Sequence, residues 1–353
     1  MFFTKRVKKA PEILVFGIIL ATVPVHLRAQ PPVATLFYYV EEPPALTSAL
    51  AHLNQISIIA PQVFVIDRDG FVFGEVNPEL LEAARQRHVA VMPLVINPGF
   101  DQEVIHSVLD DPSKMQRAIR YLLYYADRDG YWGFQLDFEN IHASYRHRYN
   151  LFVEEAARQF HRRGRRLSVA VVAKHSDRRQ DYSEYSWVNW TGVFDYATLS
   201  RAADFLSVMT YDQHSWETPP GPIAGVPWMR RVAKYALTKV PPEKLYLGIP
   251  LYFRSWNRAG LPGAYGGFPE VVRLLHRHGV VAGWDTARRV PWFRYQANGV
   301  EYEVWYEDVR SFQAKLELVQ AYGLQGFSAW VIGQEDPRIW NEITQRIRIR
   351  RPL

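Results

Sequence analysis

Short apolar segments alternate with longer amphipathic segments along most of the chain. After residue 30, runs rich in β-branched, aromatic and aliphatic residues are separated by stretches whose apolar positions recur every three to four residues. The first pattern is typical of buried strands, and the second of helices that pack one face against a sheet. Eight runs predict strands: Thr35–Val40, Ser57–Asp67, Val89–Ile96, Gly133–Glu139, Leu167–Ala173, Phe205–Tyr211, Leu245–Leu251 and Gly326–Val331.

Six helices are predicted between these strands: Pro78–Arg87, Lys114–Tyr125, Arg148–Arg162, Tyr196–Ala203, Trp228–Lys239 and Val309–Tyr322. Asn77 before Pro78 is a helix start signal, and Gly323 is a stop signal. Strands that alternate with helices predict an α/β fold, here a (β/α)8 TIM barrel, which typically needs about 250 residues. We assign the surplus length to a small α+β insertion at 263–306, between strands seven and eight, where Asn298-Gly299 predicts a hairpin turn.

Polar and apolar residues alternate in the fourth predicted strand. Gln135, Asp137 and Glu139 share one face, because side chains along a strand point to opposite faces in turn. In a barrel this face points inward, and Glu139 lies nearest the C-terminal rim, where the active sites of such barrels lie. Two neighbouring carboxyl groups repel each other when ionised, so we expect the pair to keep one proton near neutral pH.

A carboxyl group that keeps its proton near neutral pH can act as a general acid, which cleavage of a glycosidic bond requires. Taken alone, an Asp-x-Glu pair is better explained as a solvated strand edge or a hydrogen-bonding cap. The wider sequence context decides between these interpretations.

The fourth strand resembles the signature strand of glycoside hydrolase family 18, usually Asp-Gly-x-Asp-x-Asp-x-Glu. Gly133, Asp137 and Glu139 match this signature, whereas Trp132 and Gln135 stand where the family has its first two aspartates. Five further segments resemble family motifs in the same order: Ser207–Asp212, Gly221–Ala224, Leu247–Tyr252, Trp305–Asp308 and Gly326–Trp330. The likeness covers nearly all of residues 30–353, and it resembles in particular the bacterial branch with spore-germination and cortex-lytic enzymes.

The resemblance implies a glycosidase of chitinase or N-acetylglucosaminidase type with a substrate-assisted retaining mechanism, an exception to the usual scheme with two carboxyl groups. Glu139 would protonate the glycosidic oxygen while the 2-acetamido oxygen of the substrate attacks the anomeric carbon. Asp137 would orient the acetamido N–H and stabilise the positive intermediate. Tyr211 would donate its hydroxyl to the acetamido carbonyl.

The resemblance also implies a set of sugar-binding residues around these three. Met209 and Asp212 belong to the sixth strand and its end, and Trp330 would offer an indole face to a pyranose ring. We also include Tyr39 and Gln135, and we regard Trp216 and Trp256 as weaker candidates for outer subsites. No metal site and no cofactor are expected, because the chain has no cysteine, no HExxH and no glycine-rich phosphate loop.

Gln135 is the most important departure from the family pattern. The family has an aspartate here that shares charge with the one at 137, so Gln135 leaves Asp137 with a neutral hydrogen-bond partner. We expect fewer coupled groups to determine the acidic limb of the pH profile. Related bacterial sequences tolerate asparagine here, so we do not interpret Gln135 as loss of activity.

Residues 1–29 predict a signal peptide. Basic residues at 5–9 precede the apolar run 13–25, and Ala29 is a candidate cleavage site. A membrane-spanning helix needs about 20 residues, more than this run offers. Leu27 stands where a small residue is expected, so an uncleaved N-terminal anchor is the alternative to an exported protein that is periplasmic, extracellular or in the cell envelope.

The net charge of +6 does not indicate nucleic-acid binding, because +4 of it lies in the predicted leader. The expected partner is a polysaccharide of β-1,4-linked N-acetylglucosamine, as in chitin or peptidoglycan, between which the sequence does not decide. We expect a monomer with no membrane span after the leader. Two alternatives stay open: a silent, lectin-like protein of the same fold that binds these glycans, and a scaffold of the cell envelope without turnover.

Overall fold

The computed structural model of the chain describes Met1, Phe2 and residues 31–352. The predicted leader at 1–29, whether signal peptide or anchor, lies outside the described residues except for its first two. Within the described part of the chain, no helix combines the length and the apolar character that a membrane crossing requires.

Eight parallel strands form a closed barrel, which confirms the predicted fold class. The first strand closes the ring, because Phe37 lies opposite both Ala329 of the last strand and Ile59 of the second. A short piece, Ala90–Val91, precedes the third strand, and Val72–Phe73 pairs antiparallel with the end of the second. In barrel order along the chain the strands are Ala34–Tyr39, Ile58–Ile66, Leu94–Ile96, Gly133–Asp137, Arg166–Val172, Phe205–Met209, Leu245–Pro250 and Gly326–Trp330.

All six predicted helices are present, with ends that differ by a few residues from the predicted bounds. The Asn77 side chain caps the helix that starts at Pro78, and Asp308 forms a reciprocal capping box with Ser311. The barrel helices are Pro43–His52, Pro78–Gln86, Gln102–Leu109, Pro112–Asp129, Arg146–Arg162, Tyr196–Ala202, Val226–Ala236, Val309–Ala321 and Ile339–Arg346. Short helical turns lie at Leu53–Gln55, Pro98–Phe100, Ala143–Tyr145, Arg179–Asp181, Glu184–Ser186, Trp187–Thr191 and Pro242–Lys244.

The strands bury side chains in two layers, one under the helices and one inside the barrel. In the first strand, Phe37 and Tyr39 belong to the outer layer, whereas Leu36 and Tyr38 belong to the inner layer. Phe37 stacks on Trp340 of the last helix with 4.8 Å between ring centroids. Because only inward-facing side chains near the strand ends reach the barrel mouth, this alternation determines which residues can meet a ligand.

A five-stranded antiparallel sheet is inserted between the seventh and eighth barrel strands. Its strands are Tyr252–Asn257, Pro262–Gly267, Gly283–Asp285, Val290–Ala297 and Val300–Trp305, with one helix at Phe268–His278. The predicted hairpin is present, since Asn298 and Gly299 both have positive φ and join two paired strands. The sheet starts at Tyr252, before the predicted boundary at 263, because its first strand follows the seventh barrel strand after a single residue.

Candidate active site

The fourth barrel strand carries two acidic residues to the barrel mouth. Asp137 ends the strand and is 3% exposed, and Glu139 lies two residues further on and is partly exposed. Gly133 starts the strand where an added Cβ would lie 1.9 Å from the carbonyl oxygen of Arg166. Only glycine therefore allows the fourth and fifth strands to pair this closely here.

The main chain of Glu139 is fixed by a side chain of the neighbouring strand. Asn97, directly after the third barrel strand, is 0% exposed. Its Oδ1 accepts a hydrogen bond from the Glu139 main-chain N–H (3.1 Å), and its Nδ2 donates to the Glu139 carbonyl (3.0 Å). This double contact holds the backbone of the acid without occupying its carboxyl group.

The two carboxyl groups lack cationic partners. Among the described residues, no lysine, arginine or histidine forms an ion pair with Asp137 or Glu139. Asp137 Oδ2 accepts one long hydrogen bond from Gln62 Nε2 (3.4 Å), and Asp137 Oδ1 has no hydrogen-bond partner. Asp137 Oδ1 is thus a buried acceptor whose hydrogen-bonding capacity is unmet within the described residues.

Burial raises the pKa values of both acids, and repulsion by neighbouring carboxylates adds to the shift of Glu139. Burial raises the pKa of Asp137 to about 7, opposed by the hydrogen bond from Gln62. The pKa of Glu139 is raised well above its usual value, first by burial and then by the negative charges of Asp137 and Asp212. The pair therefore retains at least one proton at neutral pH.

Gln135 lies on the predicted inward face, but its hydrogen-bond partner is not Asp137. It is 0% exposed, below the barrel mouth, and its Nε2 donates to Ser168 Oγ (2.9 Å). The neutral partner of Asp137 is Gln62 instead. Gln62 follows Ile58 and Ala60, which both face the barrel interior, so alternation along the second strand already places its side chain inward.

The sixth barrel strand and the residues after it bring Met209, Tyr211 and Asp212 to the same mouth. Met209 and Tyr211 are partly exposed. Burial raises the pKa of the Tyr211 hydroxyl well above its usual value, and nearby Tyr38 and Asp137 raise it further, so the phenol stays a hydrogen-bond donor.

Asp212 is held by two residues of the insertion, which the sequence analysis missed. Its φ of 56° turns the chain away from the strand direction. Its Oδ1 accepts from the hydroxyl of Tyr252 and forms an ion pair with Arg254 Nη1 (2.7 Å). The Arg254 guanidinium also lies over the ring of Trp216, 5.1 Å from its centroid. These contacts join the insertion to the barrel mouth.

Trp330 ends the eighth strand and is partly exposed, with its ring centroid 5.3 Å from that of Tyr38. The structure does not bring Tyr39 to this group. Tyr39 is 1% exposed and belongs to the outer core, because its neighbour Tyr38 takes the inward position. Trp256 is also fully buried, inside the insertion, whereas Trp216 stays partly exposed.

Below the mouth, a chain of hydroxyl groups lies among the apolar side chains of the barrel interior. The Tyr38 hydroxyl and Ser207 Oγ are 2.7 Å apart, and Ser207 Oγ lies 2.7 Å from Ser328 Oγ. Within the residues that the structure describes, no three histidine or acidic side chains are grouped to hold a metal ion. The chemistry that this arrangement can perform is proton transfer and hydrogen bonding by carboxyl and phenol groups.

Comparisons with known proteins agree with this geometry. Residues 55–335 match the family model described as Glycosyl hydrolases family 18. The cortical fragment-lytic enzyme of Bacillus subtilis is 28% identical over 297 residues, which cover 81% of this chain and 67% of that enzyme.

Two solved structures illustrate the likeness in three dimensions. The spore cortex-lytic enzyme SleL of Bacillus cereus superposes with a TM-score of 0.83 at 25% identity, covering 92% of this chain and 76% of that one. A chitinase of Chromobacterium violaceum superposes with a TM-score of 0.81 at 27% identity, covering 89% of this chain and 98% of the chitinase.

Proposed function

Since the chain belongs to family 18 of the glycosyl hydrolases and is a glycosidase, we propose that it cleaves β-1,4-linked N-acetylglucosamine glycans of peptidoglycan. The main support for the proposal is the pair Asp137 and Glu139 at the barrel mouth. Both carboxyl groups have raised pKa values, and no cation among the described residues pairs with them. Peptidoglycan is favoured over chitin because relatives with matching barrels are named cortex-lytic or cortical fragment-lytic enzymes.

In the proposed mechanism, Glu139 gives its proton to the glycosidic oxygen as the bond from that oxygen to the anomeric carbon breaks. The 2-acetamido oxygen of the substrate forms a bond to the same carbon, which yields a cyclic, positively charged intermediate. Water then attacks the anomeric carbon from the face that the leaving group vacated, the bond from that carbon to the acetamido oxygen breaks, and Glu139 takes a proton from the water, so configuration is retained. Every bond broken is replaced, and the proton returns to Glu139.

Asp137 and Tyr211 are proposed to position the acetamido group. Asp137 Oδ1, which has no protein partner, would accept from the acetamido N–H and balance the positive charge of the intermediate. The Tyr211 hydroxyl would donate to the acetamido oxygen. The raised pKa of Glu139 fits this division, because Glu139 must hold a proton before bond cleavage.

Met209, Asp212 and Trp330 are proposed to line the sugar subsites. Trp330 offers a partly exposed indole face on which a pyranose ring can stack. Asp212 would accept from a sugar hydroxyl with the oxygen that Tyr252 and Arg254 leave free.

The test is hydrolysis of purified peptidoglycan and of chitooligosaccharides by wild type, Glu139→Gln and a matched control, Glu79→Gln, at an exposed position on a barrel helix. We expect release of reducing ends from peptidoglycan that is lost in Glu139→Gln and retained in Glu79→Gln. Cleavage of chitooligosaccharides alone would replace peptidoglycan by chitin as substrate. Glycan binding without turnover in all three proteins would support the lectin-like alternative instead.

We also propose that the chain acts outside the cytoplasmic membrane. The proposal rests on the sequence of residues 1–29, which has the pattern of a signal peptide. N-terminal sequencing of the protein from fractionated cells tests this: a start near residue 30 in the exported fraction is expected for a cleaved signal peptide. An intact N-terminus in the membrane fraction would support the anchor, and an intact N-terminus in the soluble cytoplasmic fraction would contradict export.

A further inference from the structure

Two arginine-rich segments meet at the barrel end opposite the cleft, where the strands begin. Residues 162–166 lead into the fifth strand, and residues 346–351 follow the last helix. Although they are far apart in sequence, Arg166 and Arg350 line the same cavity, of about 300 Å³. We call this end of the barrel the basic end.

The basic end combines several cations with few acidic residues. Residues 30–353 have a net charge of only +2. The segments that enter the basic end contain eight lysines and arginines but only two acidic residues, so the other residues of 30–353 are together net negative. These segments are 56–57, 87–89, 130–132, 163–165, 203–204, 237–244, 322–325 and 347–352.

Part of this charge is neutralised and part is not. Arg163 and Arg165 both pair with Asp127, and Arg166 pairs with Asp204. By contrast, Arg162 and Arg348 are exposed and form no ion pair or side-chain hydrogen bond with another described residue.

Two further arginines bind only main-chain carbonyl oxygens. Arg350 donates to Pro32, and Arg351 donates to three carbonyls of residues 53–56. Among residues 31–352, no carboxylate forms an ion pair with either arginine. The basic end therefore presents cations that attract a polyanion.

Aromatic rings form the floor of the cavity between these arginines. Phe205 lies between Trp132 and Tyr246, with centroid distances of 6.5 Å and 4.3 Å. Phe205 and Tyr246 are buried, whereas Trp132 is partly exposed toward the cavity. Tryptophan beside arginine is the combination that favours the interface between lipid headgroups and acyl chains.

The chain also enters the barrel at the basic end. The main chain of Val33 donates to the carbonyl of Arg348 and accepts from the N–H of Arg350, so residues 31–33 lie beside the C-terminal arginines. The sequence that precedes them contains the apolar run 13–25 and basic residues at 5–9.

From these observations we propose that the basic end binds the surface of a membrane rich in anionic phospholipids. Its cations would meet lipid phosphates, Trp132 would lie at headgroup depth, and the cleft would face away from the membrane. This inference goes beyond the proposed glycan hydrolysis and does not depend on it, because the two sites occupy opposite ends of the barrel.

The test is sedimentation with vesicles of phosphatidylglycerol and phosphatidylcholine in equal amounts, and with phosphatidylcholine alone. It uses residues 31–353, which contain every described strand and helix and lack the apolar run 13–25 that would bind lipid itself. The full-length chain is measured in parallel. We expect salt-sensitive binding to the anionic vesicles and little binding to phosphatidylcholine.

The variant Arg162→Gln/Arg348→Gln removes two exposed, unpaired cations from the basic end. Its matched control, Arg230→Gln/Arg231→Gln, removes two exposed cations from the flank helix Val226–Ala236. We expect the first variant to bind anionic vesicles about tenfold or more weakly and the control to bind as wild type does, because a cation near an anionic surface contributes on the order of 1 kcal/mol.

Three results would overturn the proposal: equal weakening in both variants, no preference of wild type for the anionic vesicles, or equally tight binding to a DNA duplex. Circular dichroism and glycan hydrolysis check the folding of each variant. Loss of hydrolysis with normal vesicle binding would count against the proposed function alone, and normal hydrolysis without vesicle binding against the membrane proposal alone.

Discussion

Two groups of desolvated acidic residues differ in what balances their charge. Glu307, after the insertion, is 4% exposed and pairs with Lys315, which is 0% exposed on the helix Val309–Ala321. Burial raises the pKa of Glu307 and lowers that of Lys315, and each partner's charge opposes the shift of the other. Asp137 and Glu139 are desolvated as well, but among the described residues only the amide of Gln62 forms a hydrogen bond to their carboxyl groups.

The comparison separates a structural carboxylate from a reactive one. Within its ion pair, Glu307 has a charge balanced by the protein itself, so a ligand has little to add. Asp137 and Glu139 retain their desolvation cost, which a substrate can relieve by donating hydrogen bonds or accepting a proton. Unbalanced burial, more than burial itself, therefore marks the candidate active site.

The largest expected effect is on the rate of glycan hydrolysis, and it comes from replacing each of the two glutamates by glutamine in turn. Glu139→Gln should lower the rate of glycan hydrolysis about 10³-fold or more, since general acid catalysis contributes ~10²–10⁴-fold and no second acid replaces it. Its melting temperature should not fall, because glutamine is close in size to the protonated acid and no ion pair with a described residue is lost. Glu307→Gln should do the reverse, lowering the melting temperature with kcat retained. Calorimetry and kinetics on both proteins test the contrast, which fails if both variants lose activity alike.

Removing Lys315 from its ion pair with Glu307 should also destabilise the folded protein. Lys315→Met leaves Glu307 buried without a cation, so we expect the free energy of unfolding to fall by ~3–5 kcal/mol. The double variant Glu307→Gln/Lys315→Met should recover part of this loss. Urea unfolding measures both values, and an additive effect of the two changes would contradict the pairing argument.

A smaller effect should distinguish the sites by the pH dependence of stability. The folded pKa of Asp137 is about 7, above the unfolded value of about 3.9. Below pH 4 both states hold the proton, whereas between pH 4 and 7 only the unfolded state releases it, so wild type loses stability as pH rises.

Asp137→Asn removes this dependence. The variant should be more stable than wild type by on the order of 2 kcal/mol at pH 7, and the advantage should vanish as pH falls to about 4. Urea unfolding across this range measures it. An advantage that persists unchanged at low pH would mean that packing, not ionisation, causes the difference.

The smallest effect concerns the barrel interior below the acids. Gln135→Asp introduces a carboxyl group next to Ser168 on the inward face that Asp137 shares. A further negative charge raises the pKa of Asp137, so the acidic limb of the pH–rate profile should move to higher pH by up to about one unit. An unchanged profile would show that position 135 is electrically separate from the site; Gln135→Asn serves as the neutral control.

The barrel could be predicted from the sequence because its signals are local. Strand and helix periodicity, caps such as Asn77 and the Asn298-Gly299 turn each depend on a few adjacent residues. The start of the insertion was missed because Tyr252–Asn257 follows the seventh strand without a turn signal. Local pattern thus gives the order of the elements but not which sheet an apolar strand joins.

The candidate site was predictable only along single strands. Alternation places Asp137 and Tyr211 at the mouth, but an error of one position selects Tyr39 instead of Tyr38. Asn97 and Arg254 were missed because their partners, Glu139 and Asp212, lie about 40 residues away in sequence. Contacts of this kind depend on which strands become neighbours in the sheet. The sequence around a single residue does not predict this.

Because Tyr252 and Arg254 hold Asp212 from 40 and 42 positions further along the chain, the cleft reaches its final form late in synthesis. The ribosome synthesises the sixth barrel strand before the insertion. Asp212 therefore has its contacts only after the strand Tyr252–Asn257 has been made and has paired with Val300–Trp305. The barrel itself closes only when the last strand meets the first. A nascent chain of this design therefore stays catalytically incompetent until almost its whole length has been translated.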